Sequence, residues 1–211
     1  MNSFIKLIFD FLISLFFLVL LFPILIMIAI LIKIDSRGPI LFKQQRCGRD
    51  KKVFTIYKFR TMIENAVNIG SGLQICKNDS RITKVGNFLR KWSLDELPQL
   101  INIIKGDMSI IGPRPTLQYQ VDQYDKFQRK RLVMKPGITG WAQVNGRNSL
   151  SWEERIKLDI WYVEHYSLWL DLKILLKTVA VAVLRDGLYG EAGVNDDFNL
   201  QEIPNSKKLV Y

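Results

Sequence analysis

The sequence predicts a helix-rich, mixed α/β protein with an apolar membrane segment at its N-terminus. Three observations carry that expectation. Phe11 to Ile32 runs for 22 residues without a charge. Between residues 36 and 186, short β-branched and aromatic runs alternate with helical periodicity, punctuated by glycine and proline. Residues 152–184 form one long segment dense in aromatics and leucine. The chain divides accordingly into a membrane segment (1–35), a main domain (36–186) and a polar tail (187–211).

Composition narrows the class. The 211 residues are 48% apolar with only 7 prolines and 13 glycines, too apolar for a disordered chain. At 24% charged they are too polar for a multi-span membrane protein. Length allows one core of ordinary size. Two cysteines, Cys47 and Cys76, make no disulfide framework and suit a reducing compartment. A single histidine, His165, argues against zinc catalysis and a histidine-based triad.

As a helix, the uncharged run extends roughly 33 Å, enough for a hydrocarbon core of about 30 Å. It is longer than the apolar region of a signal peptide, and it exits into Lys33-Ile34-Asp35-Ser36-Arg37 without a small-residue cleavage site. Pro23, near its middle, removes a helix hydrogen bond and predicts a kink. Composition alone reads as a kinked spanning helix. A re-entrant helix-break-helix returning to the same face is the other reading, and charge does not separate them. Lys33, Arg37, Lys43, Arg46, Arg49, Lys51 and Lys52 place the C-terminal flank in the cytoplasm by the positive-inside rule.

The remaining elements follow in order. Ile40–Phe42 and Val53–Tyr57 read as short strands around a turn at Cys47–Asp50. A short helix is expected over Thr61–Ala66, a polar loop over 68–80, and a helix over 84–91 carrying Arg90. A further helix is expected from Leu94 to Lys105, then a Gly/Pro-rich stretch from Gly106 to Pro115. Residues 117–132 read as helix, and Pro136–Arg147 as glycine-rich connection. Ser151 and Glu154 have capping-box spacing and open a long helix or helix pair ending near Leu184. Aromatics and lysines beside its apolar second half suit a helix lying in a membrane interface. Ordinary core packing accounts for the same pattern.

Beyond residue 34 the chain carries 28 basic and 19 acidic residues. A basic domain beside a membrane points to anionic headgroups or phosphorylated substrates. Nucleic acid is not expected, since the cations fall on no single helix and no recognition motif is present.

Four segments carry chemistry. In Ser93-Leu94-Asp95-Glu96-Leu97-Pro98-Gln99, Ser93 and Glu96 have the spacing of a capping box, and acids in a first helical turn suit the helix dipole. The same environment, with Arg90 and Lys91 adjacent, keeps a carboxylate ionised as nucleophile or metal ligand. Gly112-Pro113-Arg114-Pro115 holds one guanidinium between two rigid residues, suited to a phosphate. Pro136 to Arg147 combines glycines with Trp141, Gln143 and Arg147, suited to a base or phosphate. Tyr57-Lys58-Phe59-Arg60-Thr61-Met62 places two cations after a strand. Each has a bland alternative as cap, turn, core plug or strand edge.

Taken in order, and with Lys105-Gly106-Asp107-Met108-Ser109 and Lys135-Pro136-Gly137, these motifs resemble the bacterial sugar transferase family, the monotopic phosphoglycosyl transferases. The likeness covers about residues 4–185, and the length is similar to the small form of the family. The resemblance implies transfer of a sugar-1-phosphate from a UDP-sugar donor to undecaprenyl phosphate, with release of UMP. It implies Mg²⁺ as cofactor, Asp95 as nucleophile and metal ligand, and Glu96 as its partner. Lys58, Arg60, Arg90, Arg114, Gln143 and Arg147 are the expected phosphate and nucleotide contacts. It implies a 2-acetamido sugar, with glucose or galactose as the alternative, at the first membrane step of surface glycan assembly. It also revises the topology to a re-entrant hairpin broken at Pro23, in the bacterial cytoplasmic membrane, with the catalytic domain facing the cytoplasm among membrane lipids. Phe22 departs from the small polar residue familiar before that proline. Self-association into a homo-oligomer stays open.

Overall fold

A computed structural model describes residues 4–69 and 78–184. Cys76 and the tail from 187 lie outside the described residues, as does most of the expected loop at 68–80.

The apolar N-terminus forms two helices, α1 (Phe4–Leu20) and α2 (Phe22–Asp35), bent by 62° at Leu21. Pro23 lies in the first turn of α2, where its missing N–H has no helical partner to lose. Among the described residues no single helix is long and apolar enough to cross a membrane, whereas the bent pair passes that test together. Lys6, Asp10 and Ser14, four residues apart, are the buried residues of α1. Its apolar side chains face outward instead: Phe4, Phe9, Phe16 and Val19 are exposed.

The hairpin β1 (Leu41–Cys47) and β2 (Val53–Phe59) pairs antiparallel from Leu41↔Phe59 to Cys47↔Val53. It is longer than the sequence predicts. Its turn is closed by Asp50 and Lys51, both at positive φ. The helix expected over Thr61–Ala66 does not form, and residues 61–65 are not helical. Thr61 O accepts from Thr83 N and Ile63 N donates to Arg81 O, so the segment stays extended and bridges Met62 to Ile82. A 3-10 turn follows at Ala66–Asn68.

Helix α3 (Lys84–Lys91) is capped by the Thr83 hydroxyl. Gly86 lets it lie backbone to backbone on Thr61, because a Cβ there would sit 2.0 Å from Thr61 O. The expected helix from Leu94 to Lys105 is broken. A 3-10 turn spans Leu94–Glu96, and α4 (Gln99–Ile104) begins after Pro98, which has no N–H to continue the ladder. Ser93 is left-handed and makes no side-chain cap, so the expected capping box with Glu96 does not form.

Short strands β3 (Ser109–Ile111) and β4 (Gly137–Thr139) pair in parallel. The stretch 117–132 divides into α5 (Gln118–Asp122) and a 3-10 helix at Gln128–Val133. Asp125 restarts it by accepting from Gln128 N at 2.7 Å. The glycine-rich connection carries β4 and a one-turn helix, α6 (Trp141–Val144). The final segment is a helix pair, α7 (Trp152–Glu164) and α8 (Leu168–Leu184). The predicted capping box opens α7: Glu154 N donates to Ser151 Oγ, and Ser151 N donates back to Glu154 Oε2.

The two halves of the long segment differ in burial. Ile156, Ile160 and Tyr162 of α7 are core, packed with Cys47, Val121 and Leu132 or with Ile111 and Ile174. In α8, Trp169, Leu172, Leu176 and Val179 form an exposed apolar face.

Candidate active site

A cleft of about 1280 Å³ opens between the hairpin, α3, the turn carrying Asp95 and Glu96, and the segments 112–116 and 138–159. Each wall has a local reason for its position. Lys58 is near the end of β2, which Asn102 of α4 grips from the side. The Asn102 side chain accepts from Tyr57 N and donates to Thr55 O. Arg90 is in the last turn of α3, and its Nε donates to Thr61 Oγ1 at 2.8 Å. Gly112 and Gly137 bring the Arg114 segment onto β4: a Cβ on Gly137 would sit 2.1 Å from Gly112 N, and one on Gly112 would sit 2.4 Å from Lys135 O.

The two carboxylates differ sharply. Glu96 Oε1 accepts from Lys58 Nζ at 2.7 Å and from Arg114 Nη2 at 3.1 Å. Burial alone would raise the Glu96 carboxyl, but these two cations overcome it and hold it well below the usual carboxylate range. Asp95 accepts no hydrogen bond among the described residues. Its carboxyl is raised above the ordinary value, first by burial; Glu96 adds to this, while Lys58, Arg90 and Arg114 oppose it. Lys58 is shifted down by burial, against the pull of Glu96.

The structure therefore gathers most of the expected cations around Asp95 and Glu96. Arg147, left-handed at φ 52, feels the fields of Glu96 and Arg114. Gln143 on α6 lines the cleft with a buried Oε1 that has no hydrogen-bond partner. Arg60 also lines the cleft but is held differently from the other cations. It is buried, and its guanidinium donates to Ser36 Oγ, Ser36 O and the Pro39 carbonyl. It ties the end of α2 to β2 and is not brought to the carboxylates, because buried backbone acceptors claim its donors.

Among the described residues no cluster of three or more metal-ligating side chains forms. One available carboxylate, Asp95, beside an ion-paired one does not make an all-protein cage. It does fit Mg²⁺, which keeps waters and takes one or two carboxylates together with substrate phosphates.

Sequence reasoning missed the buried support. Asp159 of α7 pairs with Arg131 beneath Arg114. Lys6 of α1 pairs with Asp171 of α8 at 2.7 Å, and Asp10 accepts from Ser109 Oγ. The available signal was a lone acid or base on an otherwise apolar helix face.

A buried carboxylate pair ringed by lysine and arginines, in a basic cleft, has the charge and donors that suit anionic, phosphorylated ligands. The family model for bacterial sugar transferases matches residues 1–185, and the chain belongs to that family of transferases. It is 43% identical over 184 residues to the uncharacterized sugar transferase EpsL of Bacillus subtilis, covering 87% of this chain and 90% of that one. It is 41% identical over 202 residues to the undecaprenyl-phosphate galactose phosphotransferase of Salmonella typhimurium, covering 89% of this chain. A 46% match over 158 residues, 72% of this chain, is to an Aeromonas hydrophila protein. That protein is named UDP-N-acetylgalactosamine-undecaprenyl-phosphate N-acetylgalactosaminephosphotransferase. The chain spans 42% and 37% of the length of these last two relatives.

Proposed function

We propose that this protein transfers a sugar-1-phosphate from a UDP-sugar to undecaprenyl phosphate and releases UMP. The observation that carries the reading is the asymmetry of the dyad. Glu96 is fixed by Lys58 and Arg114, while Asp95 keeps its oxygens free of hydrogen bonds beside the same cations. An Asp95 oxygen attacks the sugar-proximal phosphorus of the donor. The bond from that phosphorus to the bridging oxygen breaks, and UMP leaves with the oxygen and its electron pair. The product is an aspartyl-phosphosugar. An oxygen of the polyprenyl phosphate then attacks the same phosphorus, forms the diphosphate and returns the Asp95 carboxylate.

Lys58, Arg90, Arg114 and Arg147 neutralise and orient the phosphates. Gln143 offers an acceptor toward the nucleoside. Mg²⁺ held by Asp95 and the donor phosphates would supply further charge neutralisation. The N-terminal pair is a re-entrant hairpin broken at Pro23, with both ends cytoplasmic. The apolar face of α8 rests at the bilayer surface, so the donor arrives from the cytoplasm and the lipid phosphate from the same leaflet. The donor is a 2-acetamido sugar. Galactose or glucose is the second reading, favoured by the Salmonella protein's name and by a relative in Escherichia coli named for UDP-glucose.

The test is UMP release from a panel of UDP-sugars in detergent with Mg²⁺. One donor should give a burst stoichiometric with enzyme and a mass gain equal to its sugar phosphate, with turnover only on adding undecaprenyl phosphate. Asp95→Asn should abolish burst, mass gain and turnover together. Substantial turnover by that variant removes Asp95 as nucleophile.

A further inference from the structure

We propose that Arg131 and Asp159 are positioning residues that set Arg114 in the cleft by gripping its main chain. The inference rests on the reading above that Arg114 binds the donor phosphates.

Arg114 lies between Pro113 and Pro115. Neither proline has an N–H, so this stretch is held chiefly through its carbonyls. Each carbonyl has a donor. Gly137 N donates to Pro113 O at 3.0 Å, Arg46 Nη1 to Pro115 O at 3.3 Å, and Cys47 N to Thr116 O at 2.8 Å. The carbonyl of Arg114 itself accepts from Arg131 Nη2 at 3.0 Å. The Arg114 side chain is half exposed and pairs with Glu96. Its reach toward the dyad is therefore set by where its backbone is held.

Arg131 is built for that task. It is 3% exposed, and Asp159, at 1%, accepts from the same Nη2. Its Nη1 donates to Tyr124 Oη at 2.7 Å, and that hydroxyl lies 3.3 Å from Thr116 Oγ1. The guanidinium lies over the rings of Tyr124 and Trp152, at 5.8 and 5.6 Å from their centroids. One planar fork thus reaches the carbonyl of Arg114 and, through Tyr124, the side chain of Thr116. A lysine there keeps the charge but lacks the fork. A buried ion pair is a weak source of stability compared with apolar packing. What the pair supplies instead is a fixed carbonyl contact under a side chain that must meet phosphate.

A double-mutant cycle on the full chain, in detergent with Mg²⁺, tests this. Arg131→Lys, Arg114→Ala and their combination are compared for donor KM, kcat and thermal midpoint. Arg131→Lys should raise donor KM and lower kcat/KM by about tenfold to a hundredfold, as a small misplacement of a positioned group does. In the Arg114→Ala background it should add less than about twofold, because coupled residues are not additive. Independent multiplication of the two effects, or an unchanged donor KM, overturns the inference while leaving the role of Arg114 intact. An Arg114→Ala variant with normal donor kinetics overturns that role, and the inference with it. Should Arg131→Lys fail to fold, the same cycle run with the isosteric Asp159→Asn decides by the same criteria.

Discussion

Two adjacent acids behave differently here because their neighbours differ. Glu96 is ion-paired twice, whereas Asp95 has only the field of the same cations. As the proposed nucleophile Asp95 must be ionised, and its pKa is raised. The rate of adduct formation should therefore fall on acidification at a higher pH than an ordinary aspartate would give. Glu96 contributes to that raise, so Glu96→Gln should move the acid limb to lower pH; an unmoved limb would separate the two titrations. At the other end, Lys58 is shifted down by burial, and activity should decline as it deprotonates below the usual lysine range. Lys58→Met removes a cation from both Glu96 and the phosphates. It should cost about 10²–10³ in kcat/KM, the scale of losing one preorganised electrostatic contact. EDTA should halt adduct formation and Mg²⁺ restore it. Adduct formation without divalent metal would refute the metal assignment.

At the scale of elements, the site depends on two close backbone approaches. Gly86 seats α3 on Thr61 and so delivers Arg90. Gly112 and Gly137 seat the Arg114 segment on β4. Gly137→Ala should lower stability by about 2–4 kcal/mol, within the range of severe steric substitutions, and read out as a drop in thermal midpoint. An unchanged midpoint would mean the two segments can part without cost. The helices predicted whole but found broken, at Pro98 and Asp125, show how local rules compete. Helical periodicity spans both breaks, yet a residue without an N–H and an aspartate that caps the next turn each reset the ladder. Ser151 and Glu154 show the opposite case: the capping box is a contact within four residues, and it was legible in full.

For the whole molecule, a bent apolar helix pair must join a polar domain. The inward face of α1 is its polar stripe: Lys6 meets Asp171, Asp171 accepts from Tyr162 Oη at 2.6 Å, and Asp10 meets Ser109. Arg60 fastens the other end, at Ser36 and Pro39. Lys6→Ala leaves Asp171 buried without its cation, a change that costs about 3–5 kcal/mol in comparable pairs, and the thermal midpoint should fall. The re-entrant reading makes a separate prediction. With Cys47 and Cys76 replaced by serine, Phe4→Cys and Arg37→Cys should both react with an impermeant maleimide in inverted vesicles and neither in intact spheroplasts. Labelling from opposite sides would establish a spanning helix.

The sequence by itself determined the apolar N-terminal segment, its break near Pro23, the family and the order of the motifs. These depend on uninterrupted runs, single residues and short spacings, which are local. It also named Asp95, Glu96, Lys58, Arg90, Arg114, Gln143 and Arg147, all of which line the cleft. Tertiary structure alone decided that Glu96 is the ion-paired acid and Asp95 the available one, since Lys58 and Arg114 reach the dyad from segments 38 and 18 residues away from Glu96. It also decided that the Arg60 guanidinium is taken up by Ser36 and Pro39, and that Arg131 and Asp159 lie beneath Arg114. Charge and chemistry are written in residue type, but which cation meets which carboxylate depends on contacts between distant parts of the chain, and spacing along the sequence does not encode those distances.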